Sequence, residues 1–153
     1  MRIVEILAVI GIIIFLLVSF VPFEWIYTRE SKPTEFLPEE RPKGLVEAYN
    51  SYIVISYGTL LKRNQEEFFA QLLRFDSSEN ARSYFLEVLD AWRNVGINFE
   101  VNPSDGQKVI VCESSKNREE CSIALLKDDK LFYFRGNKAK IEKVIKWFVN
   151  RNS

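Results

Sequence analysis

Between residues 3 and 21 the chain reads IVEILAVIGIIIFLLVSFV, with one charge, Glu5, and no other as far as Phe23. A helix of about 20 apolar residues crosses the hydrocarbon core of a bilayer. A soluble core helix rarely stays apolar on every side for that length. Gly11 and Ser19 are the weakly apolar interruptions, and membrane helices tolerate both. Pro22 stops the pattern, and Trp25 and Tyr27 follow where an interfacial aromatic belt lies. We read residues 1–23 as a single transmembrane anchor, with residues 3–21 in the lipid. A cleaved signal peptide is the rival reading. Arg2 is a minimal basic region, but the apolar run exceeds a typical signal core and no small-x-small site follows. A buried helix of a soluble fold is the third.

What remains of the 153 residues suits one small domain, expected over 44–153, which is long enough to bury a core. Residues 24–43 hold Pro33, Pro38 and Pro42 among charges of both signs. Proline fixes φ and removes a donor, so this stretch is expected as a stiff tether. The alternative is an ordered loop packed along the domain, with Phe36 and Leu37 as its anchors. The 21 basic residues balance the 21 acidic ones, so no global field attracts nucleic acid. Aromatics make up 14% of the chain, twelve of them Phe, which favours a packed β core over disorder.

Residues 44–50 allow a short helical turn. Residues 51–61, SYIVISYGTLL, read as a strand. Residues 68–76 read as a second, although their length also allows a helix. Asp76 and Glu79 have the spacing of a capping box, with Ser77 or Ser78 as alternative caps. Ala81, Tyr84, Phe85, Val88, Leu89 and Trp92 then form one apolar helical stripe that Gly96 terminates. Short strands are expected at 97–101, 107–113, 121–126 and 130–135, with NPSDG, ESSKNREE and Lys127-Asp128-Asp129 as turns. Asn137 caps a last helix with Ile141, Val144, Ile145 and Phe148 on one face. After the tether the order is β-β-α-β-β-β-β-α. The expected class is α+β: an antiparallel sheet with two amphipathic helices on one face.

Histidine is absent, which removes every mechanism that needs an imidazole. Two cysteines alone make no tetrahedral zinc site. No phosphate loop or nucleophile elbow occurs, and Asn102-Pro103-Ser104 is a disallowed glycosylation acceptor. We expect no catalytic residue, no cofactor and no metal. The pairs Glu39-Glu40, Glu66-Glu67, Glu119-Glu120 and Asp128-Asp129 are sequence neighbours that point apart on a strand, so solubility explains them better than acid–base work. The lysines of the last helix, Lys138, Lys140, Lys143 and Lys146, could touch anionic lipid, but a solvated face is the simpler reading. Tyr52, Tyr57, Tyr84, Tyr133, Trp92 and Trp147 are core residues or the lining of a pocket.

Cys112 and Cys121 lie equally far from the middle of ESSKNREE. If the flanking segments pair as a hairpin, the two face each other, and a disulfide in an oxidising compartment is expected rather than two free thiols. On 51–61 and 68–75 apolar residues occur in both alternating registers. Either these strands are central and buried on both sides, or a partner or second copy of the chain covers one side. The second reading makes Tyr52, Val54, Phe68 and Leu72, with Phe36 and Leu37, interface candidates. Two functions follow. One is a membrane-anchored, non-enzymatic accessory or interaction subunit, its domain outside the cytoplasm at the cell membrane. The other is a tethered ligand-binding module with an aromatic pocket between sheet and helices. A cavity of a few hundred Å³ would favour the second.

Overall fold

The computed structural model describes residues 2–34, 40–102, 107–115 and 118–153, with the backbone alone at 30, 31, 100–102, 115 and 118. Helix α1, Arg2–Ser19, has 18 residues. At 1.5 Å per residue it is about 27 Å long, close to the thickness of a hydrocarbon core. It is apolar and exposed along nearly its whole length, long enough to cross a membrane. Ser19, its one hydroxyl, donates to the Phe15 carbonyl one turn back at 2.7 Å, so that hydroxyl is satisfied within the helix.

Seven strands follow: β1 Phe23–Pro33, β2 Leu45–Gly58, β3 Arg63–Phe75, β4 Glu100–Asn102, β5 Gln107–Ser115, β6 Arg118–Lys127 and β7 Lys130–Asn137. They form one antiparallel sheet in the order β1-β2-β3-β7-β6-β5-β4. Helix α2, Ser78–Asn94, connects β3 to β4, and α3, Lys138–Asn152, closes the chain. The expected α+β class and the β-β-α-β-β-β-β-α order are present.

Four details differ. The first half of the expected tether is a strand: β1 pairs with β2 from Phe23–Gly58 to Pro33–Tyr49. Its charges and proline fit an edge strand with a bulge between Thr28 and Glu30, devices that keep an open edge from templating further pairing. Residues 35–39 of that stretch, with Phe36 and Leu37, lie outside the described residues, as does most of NPSDG. Residues 45–50 are strand, not helical turn, and β4 is only three residues long. ESSKNREE is mostly strand, with β5 and β6 paired out to Ser115 and Arg118.

The fourth difference is the placing of the helices. They lie on opposite faces of the sheet. Ile141, Val144, Ile145, Phe148 and Val149 of α3 pack on Ile53, Ile55, Phe68, Ile123, Phe132 and Phe134. Phe148 meets the rings of Phe132 and Phe134 edge to face at 6.1 and 5.7 Å. Ala81, Phe85 and Leu89 of α2 pack instead on Leu73, Phe75, Val109, Ala124, Leu126 and Leu131. Consecutive side chains of a strand point to opposite faces, so Leu125 with Leu126 and Leu131 with Phe132 each serve both layers. This is why β3, β6 and β7 are apolar in both registers: they are the central strands of a three-layer α-β-α stack.

The helix caps follow local chemistry. Ser77, not Asp76, caps α2: its side chain accepts from the Asn80 amide at 3.1 Å, while Asp76 accepts from the Asn80 side chain at 2.7 Å. Asn137 caps α3 by accepting from the Ala139 amide at 2.9 Å. Gly96, at φ 84°, ends α2.

Candidate functional site

Helix α2 covers one end of its face of the sheet and leaves the other end open. The register places Trp25 and Tyr27 of β1, Asn50, Tyr52 and Val54 of β2, Gln65, Glu67, Phe69 and Gln71 of β3, and Tyr133 and Arg135 of β7 on this face. Tyr52 and Phe69 pair edge to face at 5.9 Å, Phe69 and Tyr133 at 6.0 Å, Tyr133 and Trp92 at 6.4 Å, and Trp92 and Phe99 at 6.1 Å. Five rings therefore form a row across β2, β3 and β7 to α2 and the segment beyond it. Tyr52 is 38% exposed and Trp25 67%. Around the row lies a polar rim: Arg29 to Glu67 at 2.8 Å, Gln71 to Asn50 at 3.0 Å and Tyr133 to Ser122 at 3.2 Å. Apolar rings inside a polar border is the composition of an interaction patch.

Where the row meets α2 there is a cavity of about 150 Å³ lined by Trp92, Ile97, Val111, Glu113, Glu120, Ser122, Tyr133 and Arg135. A second, of about 210 Å³, lies between α2 and the sheet, against Tyr84, Val88, Trp92 and Tyr133. Burial there pushes the Tyr84 phenol above its ordinary value. Both are smaller than the roughly 300 Å³ at which pockets begin to enclose an organic ligand. A groove of about 450 Å³ opens on the other face beside the end of α3, along Thr28, Tyr49, Ser51, Leu72, Phe148, Arg151 and Asn152. It is the one space of ligand size among these; Tyr49 and Phe148 are its aromatic lining, and it lies away from α2 and the aromatic row.

Cys112 and Cys121 are joined, with an S–S distance of 2.04 Å. The register that pairs them also pairs Glu113 with Glu120 across β5 and β6. Both pairs are symmetric about the same loop, so the sequence carries the signal for each. Arg135 approaches Glu120 at 3.6 Å. The Glu66-Glu67 pair separates as alternation requires: Glu66 accepts from Tyr57 on one face and Glu67 from Arg29 on the other.

Of the interface candidates, Val54, Phe68 and Leu72 are buried by the chain itself, at 3%, 0% and 8% exposure, so only Tyr52 is on an open surface. Phe36 and Leu37 are outside the described residues. Of the aromatic candidates, Tyr52, Tyr133 and Trp92 join the row, and Tyr57 sits under the Lys140 ammonium at 3.5 Å on the opposite face. Phe69 joins the row and Trp25 shares its face, which nothing in the sequence marks, because both placements depend on strand register. Three of the lysines of α3, Lys138, Lys140 and Lys143, are engaged by the chain's own glutamates. Lys143 reaches Glu24 at 2.9 Å, Lys140 reaches Glu24 at 3.6 Å, and Lys138 reaches Glu119 at 3.0 Å. The Lys143 hydrogen bond is the main reason the Glu24 carboxyl is held below its ordinary range.

No family model matches the chain. No curated protein matches it either. Among solved structures it is similar to the extracellular domain of PknH from Mycobacterium tuberculosis, at 12% identity over 76% of this chain and 72% of that one, with a TM-score of 0.42.

Proposed function

We propose that this chain is a single-pass, membrane-anchored, non-enzymatic interaction subunit. Its α+β domain stands outside the cytoplasm and meets a protein of a larger membrane or envelope assembly through the open half of the α2 face. The observation that carries this is the row Tyr52–Phe69–Tyr133–Trp92, aromatic side chains half exposed on a rigid sheet within a polar rim. Aromatic residues dominate binding energy at interfaces because they bury much area at little entropic cost. Support for the anchor is α1, and support for the outer location is the Cys112–Cys121 bridge, since disulfides persist in oxidising compartments. The ligand-module reading loses ground because the cavities beside the aromatic row hold about 150 and 210 Å³, and the groove of about 450 Å³ lies on the other face, away from that row.

The test is a photo-crosslinking residue in place of Tyr52, compared with one in place of Lys146 on the exposed side of α3, in native membranes. A discrete adduct from position 52 alone supports the reading, and an adduct of twice the chain's mass identifies the partner as a second copy. Adducts from neither position, or equally from both, overturn it.

A further inference from the structure

The strand that leaves the membrane is the one that pairs with the β2–β3 hairpin. α1 ends at Ser19 and β1 begins at Phe23, so three residues, Phe20, Val21 and Pro22, bridge helix and sheet. Fully extended, the four Cα-to-Cα steps from Ser19 to Phe23 span at most about 14 Å. Whatever direction α1 takes, the Phe23 end of β1 is held at the bilayer surface. Phe23 pairs with Gly58, and Gly58 with Arg63. The turn at residues 59–62 therefore projects past the first residue of β1, one and two strands away, at about 5 Å per strand.

That turn carries Leu60 and Leu61 at its two central positions, 63% and 62% exposed. They do not make the turn. It is closed by the Thr59 amide to the Lys62 carbonyl at 2.9 Å, the Lys62 amide to the Thr59 hydroxyl at 3.2 Å, and Gly58 at φ 117°. Turn centres ordinarily take small polar residues. The β6–β7 turn at the far end of the sheet does so, with Asp128 and Asp129. Two leucines in solvent at the membrane end, and two aspartates at the end away from it, is the asymmetry a lipid surface would impose. Trp25, 67% exposed on the neighbouring strand, is the residue type that sits at headgroup level. Lys62 follows the leucines and can reach lipid phosphates, with its stem along the apolar layer.

We propose that the 59–62 turn, with Leu60 and Leu61 at its tip, is a second membrane contact. It dips into the headgroup layer of the bilayer that α1 spans, beside Trp25. This rests on the anchor reading of α1. A domain held by one flexible connection could tilt freely. Held at β1 and again at the β2–β3 tip, it keeps its sheet upright, with the aromatic row turned sideways toward a neighbour in the same membrane.

The experiment uses the full chain in nanodiscs of phosphatidylcholine and phosphatidylglycerol that contain a lipid spin-labelled near its headgroup or, separately, deep in its acyl chain. An environment-sensitive fluorophore is placed on Leu60→Cys, on Ile13→Cys in α1, or on Asp129→Cys at the far hairpin. All three are also made with Cys112→Ser and Cys121→Ser, so that disulfide exchange does not confuse the labelling. The expected result is loss of most emission at 60 with the shallow quencher, at 13 with the deep quencher, and at 129 with neither. Quenching at 13 without quenching at 60 overturns the turn contact and leaves the anchor standing. No quenching at 13 removes the anchor and the turn contact with it.

Discussion

Gly136 of β7 lies against the ring of Phe68 of β3 so closely that a Cβ at 136 would collide with that ring, which is fully buried. Phe68 fills the α3-side core over the space a side chain would take. Gly136→Ala should therefore destabilise the fold by about 1–3 kcal/mol, the usual range for overpacking. Phe68→Leu in the same chain should recover part of it. Chemical denaturation of the single and double variants measures both. Simple addition of the two losses would show that the contact is not the cause.

Phe85 and Phe148 sit on opposite faces of the sheet, in separate core layers. Each truncation to alanine should cost about 3–5 kcal/mol. The double variant should lose the sum to within about 0.5 kcal/mol, because side chains without shared partners act independently. Helices packed side by side on one face would couple, so a coupling well above that limit argues against the three-layer stack.

The bridge between Cys112 and Cys121 closes a short hairpin loop, with a sequence separation of 9. In the chain-entropy account a loop of that size is worth about 2–3 kcal/mol, acting through the unfolded state. Intact mass before and after reduction, with thiol alkylation, should show one bridge and no free thiol. The Cys112→Ser, Cys121→Ser variant should keep its fold with a lower denaturant midpoint.

Glu24 ties the start of β1 to α3 through Lys143 and Lys140. Its carboxyl is held below the ordinary value of 4.5, first by the Lys143 hydrogen bond and then by the charges of both lysines, against some desolvation. A lowered folded-state value means the unfolded chain binds the proton first. The contact therefore stabilises fully above about pH 4.5 and is lost as pH falls through the lowered value. With the Glu24 side chain about a third exposed, the effect should be no more than about 1 kcal/mol. Glu24→Gln should remove that part of the acid-side slope in a pH series of unfolding midpoints. An unchanged slope would mean the pair contributes nothing.

What the sequence determined by itself is whatever depends on neighbours along the chain. The run from Ile3 to Val21 specifies an apolar helix because no position on its circumference is polar enough to mark a solvent side. The stripes from Ala81 to Trp92 and from Ile141 to Phe148 specify amphipathic helices, and Ser77, Gly96 and Asn137 punctuate them. Cys112 and Cys121 could be paired because a hairpin's register is symmetric about its turn. The tertiary structure decided the rest. A helical stripe says that one face must be buried, not on which side of the sheet, so α2 and α3 were legible as helices but not as opposite layers. The doubled apolar registers of β2 and β3 were legible too. Whether a helix of the chain or another molecule covers each side depends on the order β1-β2-β3-β7-β6-β5-β4, which joins strands far apart in sequence. β1 was hidden because an edge strand is paired on one side only and tolerates the charges and proline that elsewhere mark a linker. The aromatic row and the leucine turn beside the membrane exist only once the register is set, because each gathers residues from strands whose adjacency is a property of the folded sheet.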